Sequence, residues 1–279
     1  MGKKVLSSEG TRTILGMSTL GISVLLSQTR TFCNNVTETK VTRPKVYQYL
    51  ICPFCNRVKS YLDFCGIDYD TVEVNPLTKS QINFPVAAKK VPIAIIGGET
   101  VEDSSCIIKA ITKYGYDNKV QSFPGADFFT EDTDQWDEWS EKKLAVMLYP
   151  NITRSFEESW ECFAYSSKVE SWSSLQQVLV RTVGPVFMSL ANGKIKSKYN
   201  IVDERKELLD MVAVWCDALG DKKFLHGDAP TMPDLLVFGV LRSIQGLQTF
   251  EWLMQETPKL KAWYDRVLIL APSRAVRSL

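Results

Sequence analysis

The chain contains a single histidine, His226, among its 279 residues. This scarcity excludes zinc sites that need several histidines and leaves a Ser/His/Asp triad only one possible base. The sequence also lacks the glycine-rich GxxxxGK phosphate loop and the GxGxxG dinucleotide fingerprint. We therefore expect no metal site, and neither a kinase nor a dehydrogenase.

An excess of charge of either sign is also missing, since 33 lysines and arginines stand against 32 acidic residues and leave a net charge of +1. Such a balance provides no basic field to attract nucleic acid, so no nucleic-acid partner is expected. Hydrophobic residues make up 45% of the chain, which is enough to bury the core of one large domain or two ordinary ones. The expected partner is a small molecule.

Closely spaced cysteines are rare as well. The seven cysteines are an odd number in a chain too large to need disulfides for stability, and only Cys52 and Cys55 lie near each other in sequence. This usage predicts catalytic domains that work in a reducing compartment.

Residues 1–43 form a basic leader with one uncharged stretch, residues 13–29. That stretch lies at the short edge of the roughly 17–25 residues that span a bilayer, and its glycines, serines and threonines dilute its hydrophobicity. We expect either membrane association through residues 13–29 or an organelle-targeting or signal peptide, whose removal would leave a soluble form.

Residues 44–115 show the alternating pattern of an α/β domain. A β-branched and aromatic run at 45–50 predicts a strand, and a helical pattern follows Cys-Pro-Phe-Cys at 52–55. Residues 71–74 predict a second strand, and a polar stretch around residues 77–84 predicts a short helix.

The next segment, Val91 to Gly98, predicts a buried strand that ends in a Gly-Gly hairpin turn. A helix follows, with Ser104 or Ser105 as its expected cap. The order β-α-β-α-β-β-α is the thioredoxin topology.

The Cys-Pro-Phe-Cys motif carries the chemistry. Where a strand passes into a helix, the first cysteine lies at the helix N-terminus, and free amides and the helix dipole there favour its thiolate. We expect a lowered pKa for Cys52, and Pro53 suits the first helical turn because its missing N–H needs no partner there. Cys55, one turn inside, is placed to resolve a disulfide with Cys52. Inert packing of the two thiols and half of a zinc site are the alternatives.

Two further positions suggest ligand contacts. A proline that opens a strand needs an explanation, and a cis Val91–Pro92 peptide bond is one, with a plain edge strand as the alternative. Asp103 and Ser104 at a helix start suggest an anion site, although ordinary capping explains them without a ligand.

The segment 116–132 contains proline, glycine and polar residues and is the expected linker, and residues 133–279 read as helical. One helix is predicted from Trp136 to Tyr149, ending at Pro150, and another ends at Gly220. Thr231 and Asp234 predict a capping box. We interpret His226 as a packed or solvated loop residue rather than as a ligand.

Taken together, these motifs resemble the prostaglandin E synthase 2 family, membrane-associated type, of the glutathione-transferase superfamily, over residues 44 to about 270. In the first half the resemblance is carried by Tyr47 to Cys55, Val74-Asn-Pro76, Lys90-Val91-Pro92-Ile93 and Asp103-Ser104-Ser105. In the second half it is carried by Phe224-Leu-His-Gly227, Pro233-Asp234-Leu235, Gly239 to Arg242 and Trp263-Tyr264. It implies an α/β thioredoxin-like N-terminal domain and an all-α glutathione-transferase-like C-terminal domain, together forming a homodimer.

The resemblance also implies the roles of individual residues. Cys52 is the expected catalytic thiol and Tyr49 a hydrogen-bond donor near the sulfur. The expected glutathione site is built from Phe54, Cys55, Val91, Pro92, Asp103 and Ser104. Heme binding, with the glutathione thiolate as an iron ligand, is implied only by the resemblance, and no motif in the sequence predicts it.

Three functions remain open from the sequence. The first is a glutathione-dependent isomerase that converts prostaglandin H2, a lipid, to prostaglandin E2 through the Cys52 thiolate. The second keeps the same site as a glutaredoxin-like thiol–disulfide oxidoreductase or a glutathione transferase. The third is a non-enzymatic carrier of glutathione or heme.

Overall fold

The computed structural model describes residues 42–278. The leader up to residue 41, with the apolar stretch 13–29, lies outside the described residues. Within residues 42–278, no helix is long and apolar enough to cross a bilayer.

The N-terminal half is built on a mixed sheet, which a strand from the end of the chain completes. The strands are β1 (Lys45–Gln48), β2 (Tyr69–Glu73), β3 (Ile93–Ile96), β4 (Glu99–Glu102) and β5 (Ala275–Ser278). Their order in the sheet is β4-β3-β1-β2-β5, with β1 parallel to β2 and antiparallel to β3. The β3–β4 hairpin turns at Gly97 and Gly98, whose φ angles of +59° and +90° suit the predicted Gly-Gly turn.

Two helices pack on this sheet, α1 (Pro53–Phe64) and α2 (Ser104–Asp117). α1 follows β1 directly, as the sequence predicts, and Gly66 with a φ of +68° follows its end. The thioredoxin-like fold class is confirmed.

The short helix predicted at residues 77–84 is wrong, because this segment forms turns. The side chain of Asn75 accepts hydrogen bonds from the backbone N–H groups of Leu77 and Thr78, at 2.9 and 3.1 Å. The Gln81 side chain in turn accepts the N–H of Asn75 at 2.9 Å. Such side-chain bonds compete with the backbone ladder of a helix.

The cap of α2 also differs from the prediction of Ser104 or Ser105. Asp103, with a φ of +72°, is the N-cap, and its Oδ1 accepts the N–H groups of Ser105 and Cys106 at 2.9 and 3.2 Å. An aspartate takes this position because its carboxylate can reach two amides and complements the positive end of the helix.

The C-terminal half is helical, with a single π-helical turn at Ser140–Leu144. Its helices are α3 (Thr133–Trp139), α4 (Ala145–Ile152), α5 (Phe156–Cys162), α6 (Ser174–Tyr199), α7 (Glu204–Leu219), α8 (Met232–Arg242), α9 (Gln248–Glu256) and α10 (Pro258–Leu270). The domain boundaries at 44–115, 116–132 and 133–279 stay a prediction.

The helix that was expected to end at Pro150 continues to Ile152. The side chains of Asn151 and Thr153 reach back to the carbonyls of Met147 and Tyr149, at 3.0 and 2.8 Å. These bonds give two carbonyls near the helix end a side-chain donor, and the proline costs the helix only the one backbone bond that its missing N–H would have made.

Helix α1 is held against α8 by a very close approach at Gly239. A Cβ atom at this glycine would lie 2.5 Å from the Cα of Arg57, so no larger residue fits. The predicted capping box starts α8, with the Thr231 N–H bonded to Asp234 at 2.9 Å, and Asp234 also accepts the indole N–H of Trp263 at 2.8 Å. α8 thus fixes the helix that carries the two cysteines.

Candidate functional site

The Cys-Pro-Phe-Cys motif lies where β1 ends and α1 begins. Cys52 is the N-cap of α1, in an extended conformation, and Pro53 takes the first helical position, as predicted. The Cys52 N–H donates to the carbonyl of Tyr49 at 3.0 Å and closes the turn. Cys52 is half-buried, whereas Cys55 is completely buried.

The environment shifts the pKa values of the two thiols in opposite directions. A hydrogen bond from the Cys55 side chain is the main reason that the pKa of Cys52 is lowered, and the backbone N–H groups of Cys55 and Phe54 contribute in the same direction. Burial, together with the neighbouring Cys52 sulfur, raises the pKa of Cys55 well above its ordinary value. The lowered pKa of Cys52 is in the direction the sequence predicts.

A buried polar cluster lies behind the cysteines. Glu73, at the end of β2, accepts the Leu50 N–H at 2.8 Å and the Gln48 side-chain amide at 3.0 Å, and the Tyr165 hydroxyl also donates to it. Burial raises the pKa of Glu73 to about 7. Lys59, also buried, contributes to the lowering of the Cys52 pKa.

Cys52 opens onto a cavity of about 530 Å³ with almost wholly apolar walls. The walls come from the start of α1, from α4, from the second half of α6 and from the end of α8. They include Tyr49, whose pKa is raised to about 12, mainly by burial, so that its phenol stays a neutral hydrogen-bond donor. The other lining residues are Ile51, Cys52, Pro53, Phe54, Pro76, Ala145, Val146, Leu148, Tyr149, Ile152, Phe163, Tyr165, Met188, Ile195, Lys198, Tyr199, Ser243 and Ile244.

A second cavity of about 250 Å³ shares Phe54 with the first, and we call it the polar cavity because four charged residues belong to its lining. The structure brings together here five of the predicted ligand-binding residues, and the Val91–Pro92 peptide bond is cis, as expected. Cys55 does not line either cavity. The lining residues are Phe54, Ala88, Lys90, Val91, Pro92, Glu102, Asp103, Ser104 and Glu141.

Arg57 is a buried cation behind the polar cavity that sequence analysis missed. Its guanidinium forms an ion pair with Asp137, lies 3.7 Å from the Glu141 carboxylate, and approaches the Ser104 hydroxyl at 3.5 Å. Desolvation lowers the pKa of Arg57 to about 10, so it stays charged at neutral pH. Glu73, Tyr165 and Lys198 were missed too, because nothing in their local sequence distinguishes them from ordinary strand or helix residues.

His226 lies outside both cavities. Its ring nitrogens contact Thr231 Oγ1 at 2.8 Å and Asp132 at 3.1 Å, which agrees with its interpretation as a packed loop residue. No cluster of potential metal ligands occurs within residues 42–278.

Two family models match the chain, one in each half. Residues 46–114 match the glutathione S-transferase N-terminal domain, and residues 211–267 match the glutathione S-transferase C-terminal domain. The first match covers the strands and helices around Cys52, and the second covers α8, which supports α1.

Curated relatives extend the likeness to most of the chain. Prostaglandin E synthase 2 of Danio rerio is 31% identical over 83% of this chain and 71% of its own length, and that of Mus musculus is 29% identical over 82% and 71%. Among solved structures, the beta-etherase LigF of Sphingobium sp. strain SYK-6 superposes with a TM-score of 0.52 at 17% identity, covering 81% of this chain and 95% of that chain. The structural match supports the fold alone.

Proposed function

Since the chain belongs to the prostaglandin E synthase 2 family of the glutathione-transferase superfamily, we propose that it is a glutathione-dependent isomerase of prostaglandin H2. It is an enzyme of this superfamily. The observation that carries the proposal is a cysteine with a lowered pKa at the wall of a 530 Å³ apolar cavity. An apolar cavity with few polar groups suits a lipid substrate.

The polar cavity suits glutathione. The γ-glutamyl end of glutathione carries an ammonium and a carboxylate, and the cavity offers Glu102, Asp103 and Glu141 to the first and the Ser104 hydroxyl at the start of α2 to the second. The cap of α2 uses only Oδ1 of Asp103, so the aspartate can cap and bind at once. Val91 and Phe54 would border the ligand, which supplies a thiol when bound.

The proposed reaction uses the Cys52 thiolate as a nucleophile. Its sulfur bonds to one endoperoxide oxygen while the O–O bond breaks, and the other oxygen takes up a proton. Loss of the C–H proton from the carbon that carries the sulfur-bound oxygen then forms the ketone, and the S–O electron pair returns to Cys52. The net redox change is zero. Neutral Tyr49 would donate a hydrogen bond to the departing oxygen or to the sulfur.

The test is the product profile of the chain with prostaglandin H2, with and without glutathione. We expect prostaglandin E2 above the uncatalysed background, reduced by about a thousandfold or more in Cys52→Ser. Cys216→Ser removes a half-buried thiol of α7 that does not line either cavity and should retain full activity. Full activity in Cys52→Ser would overturn the proposal.

A second candidate function is thiol–disulfide exchange, favoured by the hydrogen bond between Cys55 and Cys52. In this reaction the Cys52 thiolate would displace one thiolate from a disulfide substrate, and Cys55 would release the product by closing a Cys52–Cys55 disulfide. Cys55→Ser should leave isomerisation intact and remove the dithiol route. Unchanged dithiol reduction in this variant would exclude the second function.

Heme does not enter the proposed reaction. The only imidazole of the chain is bonded to Thr231 and Asp132, and the apolar cavity offers only Cys52, tyrosines and Met188 as iron ligands from the protein. Cysteine, tyrosine and methionine side chains are among the axial ligands that hold heme iron in other proteins. A heme carrier function predicts stoichiometric Soret absorbance after incubation with heme and glutathione, and its absence would exclude this role.

Membrane association and a homodimer are further predictions of the family resemblance. Membrane association would depend on residues 13–29, so deleting them should release the protein from vesicles in a flotation assay. A homodimer predicts twice the mass of 31.6 kDa in size-exclusion chromatography with light scattering.

A further inference from the structure

The apolar cavity contains few polar groups that are free to bind a ligand. Three of its hydroxyl groups already have partners in the protein: Tyr149 donates to the Met188 carbonyl at 3.2 Å, Ser243 donates to a carbonyl at 2.7 Å, and Tyr165 donates to Glu73. Apart from Cys52, the side chains left to bind a ligand are Tyr49, Tyr199 and Lys198.

Lys198 is the single charged residue among those that line this cavity. It lies in the last turn of α6, and its ammonium is 4.8 Å from the ring centroid of Tyr199. Within residues 42–278 it has no carboxylate within ion-pair distance, whereas Lys196 is paired with Glu204 at 2.6 Å. The Lys198 ammonium is therefore available to an anionic ligand.

We propose that Lys198 determines specificity by binding the carboxylate of a long-chain apolar acid whose hydrocarbon part lies against the cavity walls. The inference rests on the proposed function and names the group by which that site recognises its substrate. Lys198 is exposed as well as lining the cavity, so a carboxylate paired with it keeps part of its hydration while the hydrocarbon part is buried, and the ion pair contributes a modest preference.

Such a contact would also orient the ligand. Lys198 enters the cavity from the end of α6, and Cys52 enters it from the start of α1, so the two groups belong to different walls. An acid held at Lys198 by its carboxylate has its head fixed at one wall, which leaves the hydrocarbon part to approach the sulfur. The neutral ester of the same acid lacks this constraint.

The test compares the binding of cis-parinaric acid and of its methyl ester to the full chain by fluorescence titration. The original protein should bind the acid about three- to fivefold more tightly than the ester, and the preference should shrink as salt is added. Lys198→Gln should abolish the preference and leave ester affinity unchanged. Lys194→Gln is the matched control, because Lys194 is exposed one turn earlier on α6 and does not line the cavity.

Val146→Trp should weaken the binding of both ligands, because the larger side chain takes up part of the cavity that Val146 lines. An equal affinity for acid and ester in the original protein, a preference that survives Lys198→Gln, or an equal loss in Lys194→Gln would each overturn the inference. So would failure of both ligands to bind.

The inference and the proposed function can fail separately. With prostaglandin H2, Lys198→Gln should raise KM by the same factor as the lost preference and leave kcat unchanged. If Lys198→Gln forms prostaglandin E2 with an unchanged KM, the role of Lys198 is overturned and the isomerase is kept. A preference for the acid that depends on Lys198, in a protein that forms no prostaglandin E2, would overturn the isomerase and keep the acid site.

Discussion

The apolar cavity and the polar cavity differ in chemistry although Phe54 belongs to the lining of both. The larger, of about 530 Å³, is lined by one charged residue, while the smaller, of about 250 Å³, is lined by Lys90, Glu102, Asp103 and Glu141. The polar cavity is built mainly from the sheet end and the start of α2, and the apolar cavity mainly from α4 and α6. The thioredoxin-like half thus provides most of the charged lining, where we propose that glutathione binds, and the helical half provides most of the apolar walls, where we propose that the lipid binds.

The largest expected effect concerns Glu73, the buried carboxyl group behind the cysteines. The folded state raises the pKa of Glu73 from 4.5 to about 7 by burial, so its contribution to stability is present below pH 4.5 and is lost as the pH rises through about 7. Glu73→Gln removes this pH-dependent loss of stability, because a glutamine side chain does not ionise. We expect the variant to gain about 3 kcal/mol relative to the original protein between these pH values.

Urea unfolding at both ends of this pH range measures the difference in the free energy of unfolding. Glu99→Gln, at an exposed position of β4, is the control and should show no such pH-dependent gain. A constant difference between Glu73→Gln and the original protein across this range would contradict the prediction.

The cavities should also respond separately to a change in volume. Val146→Trp places a larger side chain in the wall of the apolar cavity, so we expect kcat/KM for prostaglandin H2 to fall about a hundredfold, because the indole takes up part of the space that the substrate needs. Glutathione affinity, measured by calorimetry, should not change. Val202→Trp, at a surface position that is 83% exposed, should change neither quantity. Equal losses of lipid turnover and glutathione affinity would show that the cavities are one site.

A substitution in the polar cavity should affect glutathione binding and leave the apolar cavity unchanged. Ser104→Ala removes a hydroxyl that lines it, and we expect glutathione affinity to fall about tenfold, since a hydrogen bond to a charged ligand group is lost. Ester binding in the apolar cavity should not change. Ser105→Ala is the matched control, because the Ser105 hydroxyl donates to Asp137 at 2.8 Å instead. A tenfold loss in the control would contradict a role specific to Ser104.

The smallest effect concerns the sulfur itself. Cys55→Ala removes the hydrogen bond that is the main cause of the lowered pKa of Cys52, so we expect this pKa to rise. A lowered pKa means that the thiolate is lost as the pH falls through it, so the variant should lose alkylation by iodoacetamide at a higher pH. Cys65→Ala, a buried thiol at the end of α1, is the control. The same midpoint in all three proteins would count against the assigned hydrogen bond.

Local patterns predicted the parts of the site that follow one another in the chain. The strand–turn–helix around Cys52 and the Gly97–Gly98 hairpin depend on neighbouring residues, so the sequence shows them directly. The predictions that were wrong also depend on local competition. Asn75 forms side-chain bonds that displace the helix at 77–84, and Asp103 caps α2 in place of a serine.

The residues that were missed depend on distant partners. β5 pairs with β2, although about two hundred residues separate them, and a four-residue run near the end of the chain carries no signal of that pairing. Phe128, in the expected linker, is buried and stacks on Phe64 with ring centroids 5.1 Å apart. Linker composition alone does not show that burial.

The local sequence was enough to predict the candidate reactive cysteine, because a cysteine before a proline at the start of a helix gains its chemistry from the backbone next to it. The surroundings of this cysteine follow from the tertiary structure. Burial of Glu73 and Arg57, the presence of Phe54 in the lining of both cavities and the place of Lys198 on the cavity wall all result from elements packed together from distant parts of the chain. Desolvation and the approach of charges depend on distance in space, and distance in sequence does not measure it.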